Sequence, residues 1–363
     1  MAIPYVVITA DYELFFGSET GTTKNCLIVP TEMLRETLRP FGAKMTLFVD
    51  ILYYKKLCDE GRRTPHLLEE AGAIKRQIQS LAEEGHEIAL HVHPHWLDAR
   101  YEGNHWVLPL HRYRLHELSQ EKDLSSWETI IGCLTLSREL LESIVREAET
   151  DYRAASFRAG GFCLQPFRDV REAMESNHLW IDSSVFPEGK CHTHELNFDF
   201  RNCPRRPFWR FEQEVSEENE EGDFLEIPIA AVSVSYGHRL YHALLRRQGK
   251  PWLRYGDGKT MAIQDRSRPT STVYLNYESM TFKEMFHLFN RYLTRYGSDK
   301  KVPVVFLGHP KAISKRSIHE LERFLKEITS SQKGVLTTLR GFCEEIAEDR
   351  FSPASPYAGV TMR

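Results

Sequence analysis

HLLEEAGAIKRQIQSLAEEGHEIALHVHPHW, residues 66–96, sets the architecture. Up to Gly85 its apolar side chains recur at helical spacing, and glycine is the residue that most easily closes a helix. HEIALHV then reads as a buried strand that Pro94 brings to an end. Upstream, TEMLRETLRPF (31–41) reads as an amphipathic helix capped by Thr31, and KMTLFVD (44–50) as a strand that follows Gly42. PYVVITADYELFFG (4–17) supplies the opening strand. Strand, helix, strand, helix, strand with short connections predicts a parallel α/β sheet or barrel.

Two of these strands carry chemistry. His91 and His95 lie four apart where the third strand ends, and two neutral imidazoles one turn apart can grip one divalent metal. The spacing alone says little in a chain with 16 histidines. His93, between them, could share their face on a strand count and is read as a packing neighbour. Asp11 and Glu13 flank Tyr12, so alternation points both carboxylates to one side of the first strand. Buried carboxylates need compensation, which a metal, an arginine or a helix N-terminus can provide.

Composition narrows the classes. A chain of 363 residues with 41% hydrophobic and 27% charged residues can bury a large core, as one barrel with insertions or as two domains. A net charge of −4 gives no electrostatic footprint for nucleic acid or an acidic membrane. No apolar run reaches the roughly 18 residues needed to cross a bilayer. Asp11 and Glu13 interrupt the only candidate leader segment. The seven cysteines (26, 58, 133, 163, 191, 203 and 343) form no disulfide framework and no CxxC pair. A cytoplasmic location is the expectation.

Later elements keep the rhythm: a helix over 126–149, a strand near ASFRAGGF, a helix over 165–177 and the strand HLWIDSSVFP. Residues 188–272 break it as a long irregular insertion, with an acidic run at 212–223 read as a solvated loop and EIPIAAVSV (226–234) as its one buried strand. A helix at 281–296, the strand VPVVFLGHP (302–310), a helix at 317–329 and the closing GVLTTLRGFCEEIAED follow. The expected organisation is one domain over 1–350 with the insertion shaping the substrate site, and a tail at 351–363.

Three more strand ends complete a constellation. FRAGG places Arg158 before Gly160 and Gly161, which let backbone approach a ligand. WIDSSVFP places Asp182, and FLGHP places His309, each just after an apolar run. The C-terminal strand ends of an α/β barrel share one face, so these groups would meet Asp11, Glu13, His91 and His95 there.

In order and content these pieces resemble the NodB-homology polysaccharide deacetylases of carbohydrate esterase family 4. TADYE resembles the family's TFDD motif, HVHPH its histidine pair, FRAGG its RxPxG motif, DSSVFP its fourth motif and FLGH its terminal Leu-x-His; GAKMTLFVD resembles the strand between the first two. DSSVFP and HPHW also resemble a subgroup linked with bacterial surface-polysaccharide gene clusters. The resemblance runs from Tyr5 to His309 around the insertion, and five motifs in order are far more specific than one. It implies an irregular (β/α)7-type barrel and a divalent metal, zinc before cobalt, nickel or manganese. It implies Asp11 as catalytic base held by Arg158, and His309 as general acid tuned by Asp182. The family's usual metal carboxylate directly follows the base, where this chain has Tyr12; relatives with Asp-x-Glu place it two residues on, which makes Glu13 the ligand with His91 and His95.

The function so implied is metal-dependent removal of an N-acetyl group from a sugar, in a polysaccharide or, with no leader in view, a cytosolic glycan precursor. Hydrolysis of a small cyclic amide, imide or ureide on the same fold is the second enzyme reading, and a non-catalytic glycan-binding protein the third. The retained base and acid argue against the third. Trp96, with His105 and Trp106, would stack on a sugar ring or pack in the core. Cys191, His192 and His194 stand together but have no second ligand group at zinc-finger spacing, and are read as chance.

Overall fold

In the computed structural model of the chain, residues 3–235, 237, 253–259, 272–297 and 299–348 are described. The expected tail at 351–363 and much of the insertion beyond Gly237 lie outside them. Nine strands form the main sheet: β1 (Ile3–Tyr12), β2 (Met45–Asp50), β3 (Glu87–Val92), β4 (Ser156–Ala159), β5 (Ile181–Asp182), β6 (Trp209–Phe211), β7 (Phe224–Glu226), β8 (Lys301–Gly308) and β9 (Val335–Thr337). Their order is β6-β7-β5-β4-β3-β2-β1-β8, with β9 also on β1. All neighbours are parallel except β6, which runs antiparallel to β7.

β2 and β3 are buried at every position, as strands covered on both faces must be. The helix His66–Glu83 covers one face through Leu67, Ala71, Ile74, Ile78 and Leu81, spaced three or four apart. Gly85 follows it at φ +82°, the left-handed turn the sequence called for. The opening helix differs from expectation. It runs Val29–Leu38 with Pro30 in its first turn, continuing a tighter coil at Lys24–Ile28. Thr31 therefore sits inside the helix and caps nothing.

The sheet curls until its far edge returns to β8. Beyond β7, Ile229 bridges Val305 in parallel, Ala230 N–H donates to the Val305 carbonyl at 3.0 Å, and Leu307 N–H donates to Leu275 at 3.0 Å. The ring β8-β1-β2-β3-β4-β5-β7 thus has the seven parallel strands of the expected irregular barrel, closed by single bridges in place of a ladder. Residues 188–272, read as an irregular insertion, supply two of the sheet's strands, β6 and β7, as well as the closing bridge at Ile229. The reading missed β6 and the start of β7, three residues each in charged sequence and below the length at which alternation shows, while its strand EIPIAAVSV holds Glu226 of β7 and the bridging Ile229. The fifth strand, within HLWIDSSVFP, is shorter still, only Ile181–Asp182. No helix among the described residues is long and apolar enough to cross a membrane.

Candidate active site

Register builds the site. Asp50 on β2 pairs with His91 on β3, and His91 pairs with Arg158 on β4, so three polar side chains stand in a row at the strand ends. On β1, Tyr12 turns outward and donates its hydroxyl to Gln77 at 2.9 Å. Asp11 and Glu13 therefore face the interior, where they are 2% and 5% exposed. Arg158 is fully buried over the Phe48 ring and reaches Asp11 Oδ1 at 2.5 Å, Thr9 at 3.0 Å and the Ser183 carbonyl at 2.7 Å. The expected Asp11–Arg158 contact is present.

Glu13 Oε2 lies 3.1 Å from His91 Nε2 and 2.8 Å from His93 Nε2, and the two ring nitrogens are 3.1 Å apart. His91 Nδ1 donates to the Arg158 carbonyl at 2.7 Å, so in the ring's neutral form Nε2 carries the lone pair; burial works against the charged ring, but the Glu13, Asp11 and Asp50 carboxylates move its pKa upward overall. These three residues are a group whose ligand atoms could hold a metal ion. His95, expected as the second imidazole ligand, is not in the group; His93 stands in its place. The strand conformation persists through His93 (φ −119°, ψ 95°), so alternation returns its ring to the side of His91. Pro94 then opens a tight turn, and His95 stacks on Tyr113 with an interplanar angle of 7°.

The residues present fit a divalent cation. One carboxylate and two imidazoles suit zinc, the His91 tautomer is already fixed by a backbone acceptor, and three buried ring nitrogens (His93 Nδ1, both of His95) have no hydrogen-bond partner among the described residues. Burial lowers the His93 pKa to about 4 and that of His95 well below its usual value, keeping both rings neutral. Burial works against ionised Glu13, yet Lys311, His93 and His91 together hold its carboxyl well below the ordinary range. Lys311 was not foreseen. Its Nζ lies 2.7 Å from Glu13 Oε1 and 2.7 Å from the Leu14 carbonyl, so the carboxylate keeps Oε2 turned to the histidines.

His309 stands beyond β8, as expected, with Nε2 3.7 Å from Asp11 Oδ2 and 3.7 Å from Glu13 Oε1. Burial would lower its pKa, but the Glu278 carboxylate outweighs it and the net direction is upward. Asp182 does not touch it. Asp182 accepts from Ser184 N–H at 2.9 Å and from the Ser184 hydroxyl at 2.8 Å, and hydrogen-bonds Glu226, its register partner on β7. Both carboxyls of that pair are raised, by burial first, and Glu226 far above the usual range.

The remaining expected residues play narrower parts. A Cβ on Gly160 would lie 2.8 Å from His93 Nδ1, so that glycine admits the His93 ring; Gly161 takes φ +61° against Tyr113. Trp96 is fully buried, donates to Asp50 Oδ2 at 2.7 Å and packs on Tyr53 and Trp106. It has no open face for a sugar.

No family model matches the chain, and no curated protein does. Solved structures do. A Parabacteroides distasonis protein assigned as a glycoside hydrolase/deacetylase aligns with TM-score 0.55 and 11% identity over 98% of this chain and 73% of its own. A Mycobacterium smegmatis protein assigned as a polysaccharide deacetylase gives 0.47 and 15%, covering 97% of this chain and 93% of its own. Puue allantoinase gives 0.49 and 10%, covering 96% and 91%. At such identities the likeness is one of fold alone, and with the strand order that fold is the irregular, NodB-like α/β barrel. Within that class the chain's own marks are HVHPH at the end of β3 and GHPK at the end of β8.

Proposed function

We propose that the chain is a metal-dependent N-deacetylase of an N-acetylated sugar, polysaccharide or precursor. The observation that supports this most is the meeting of Glu13, His91 and His93 beside an arginine-held Asp11 on one side and His309 on the other. A binding protein has no need of an acid and a base at one carbonyl.

Glu13, His91 and His93 would hold the metal, zinc before the others, and Glu13 takes its fixed orientation from Lys311. Once bound there, a divalent ion supplies a Lewis acid for the acetamide carbonyl and lowers the pKa of attacking water. Asp11, fixed by Arg158, takes the proton from the water whose oxygen bonds to the acetyl carbon. His309 gives a proton to the sugar nitrogen as the C–N bond breaks, because an amide anion is too basic to leave unaided. Acetate and a free amine result. Asp182, committed to Ser184 and Glu226, has no part in these steps.

The depth of the site favours one second reading, a small cyclic amide or ureide as substrate: Asp11, His91 and His93 are all at most 2% exposed. Acetate release from N-acetylated nucleotide sugars and oligosaccharides, measured beside ring opening of cyclic ureides, separates the two. Turnover of ureides alone would replace the sugar reading.

A further inference from the structure

Glu278 lies far in sequence from every motif above, yet it holds His309, the site residue just past the end of β8. Its Oε2 accepts from the backbone N–H of His309 at 2.8 Å and meets the ring Nδ1 at 3.0 Å. A carboxylate oxygen that takes both bonds fixes where the residue sits and how its ring is turned. With Nδ1 protonated toward Glu278, Nε2 is the nitrogen presented to Asp11 and Glu13.

The segment that carries Glu278 is itself held in place. Asn276 Oδ1 accepts from the N–H of Ser279 at 3.1 Å and from its hydroxyl at 2.8 Å, closing a turn around Glu278. Tyr277 donates its hydroxyl to the Thr9 carbonyl of β1 at 2.9 Å, and Asn276 bridges Leu307 of β8. The turn is thus anchored to the same two strands that bear Asp11 and His309. Asp182 has both oxygens engaged elsewhere, so the task the sequence assigned to it has no other candidate among the described residues.

We propose that Glu278 is the positioning residue for His309. It selects the tautomer and ring orientation from which Nε2 hands its proton to the leaving nitrogen. This rests on the deacetylase reading for its catalytic consequence, though the hydrogen bond itself does not.

Two measurements test it. In protein labelled with 15N-histidine, a bonded Nδ1–H of His309, assigned by its loss in His309→Ala, should be present in wild type and absent in Glu278→Leu. In turnover, Glu278→Leu should lower amide hydrolysis by about 10- to 100-fold, less than the roughly 10²- to 10⁴-fold of a lost acid–base group, with metal content unchanged and ester hydrolysis within about threefold. Glu278→Gln keeps an acceptor of the same reach and should recover to within about fivefold. Added to His309→Ala, Glu278→Leu should cost nothing more, since a residue acting through His309 has nothing left to act on. A full multiplicative loss in the double variant, unchanged amide turnover in Glu278→Leu, or no bonded Nδ1–H in wild type would each overturn the proposal. If wild type releases no acetate from any amide, the deacetylase reading fails alone, and the labelled spectra still decide whether Glu278 orients His309.

Discussion

The two sides of the site are built by opposite means. Asp11, His91 and Arg158 stand on β1, β3 and β4, and the parallel ladders between those strands place them with little help. His309 stands past the end of β8 and depends on Glu278, brought from a turn by three anchoring bonds. The first side is sealed; the second is open, with the His309 side chain 18% exposed. A ladder fixes groups that must keep one geometry around an ion. A turn lets a proton donor stand at the mouth, where substrate and product pass.

The sharpest way to break this contrast lies on the sealed side. Glu13→Ala and His91→Ala should lose metal and about 10³-fold or more of amide turnover, the scale of a lost Lewis acid. Asp11→Asn should keep metal and still lose about 10²-fold or more. Metal analysis beside turnover checks the pair, and equal metal loss in Asp11→Asn would end the separation of base from ligand. Next comes the choice between neighbouring imidazoles. His93→Ala should weaken metal affinity at least tenfold while His95→Ala leaves it within a few-fold; competition with a chelator reads both. The reverse ranking would mean that the metal draws the chain out of strand conformation at His93.

Smaller effects concern what holds each side in place. His86 accepts from Met45 N–H at 3.0 Å, which pins β2 to the start of β3, and burial lowers its pKa to about 4. The unfolded chain binds the proton near pH 6.5 and the folded one does not until about pH 4, so this contribution is whole above pH 6.5 and is lost as pH falls toward 4. Denaturation of wild type should lose about 2 kcal/mol more than His86→Asn between pH 7.5 and pH 5. On the open side, Thr281 accepts from Glu284 N–H at 3.3 Å and caps the helix Phe282–Tyr296 that follows the Glu278 turn. Thr281→Ala should cost about 1 kcal/mol in a denaturant midpoint, and equal pH dependence in the two His86 forms would remove the matching claim for β2.

The same contrast governs what the sequence disclosed. Asp11 and Glu13 could be placed because alternation is local and Tyr12 separates them. Arg158 and His309 could be placed because each ends a run of apolar residues. The four-residue spacing pointed to His95, while the strand conformation runs one residue beyond the apolar stretch and brings His93 to the side of His91. Lys311 had a local signal, a cation two residues past His309 in GHPK. Glu278 had none: NYES is an ordinary polar turn whose meaning comes from β1 and β8, distant in the chain. Asp182 was given a partner by resemblance, while its actual neighbour, Glu226, opens the stretch EIPIAAVSV, where nothing local says which strand it pairs with.

β1 has one consequence for how the chain is assembled. Along one edge it pairs with β8 from Ile3 to Ala10; the other edge is divided between β9, opposite Tyr5–Val7, and β2, opposite Ile8–Tyr12. A ribosome makes this strand about 300 residues before β8 and about 330 before β9, two of its three partners. Until then only its last residues can zip up, against β2, and the remainder is an apolar ribbon with unpaired amides. Such distant closure is entropically slow, and an exposed edge of this kind invites pairing with other chains. Nascent chains released before residue 308 should therefore aggregate through Ile3–Val7, and completion of β8 should be the event that protects the site's first carboxylate strand.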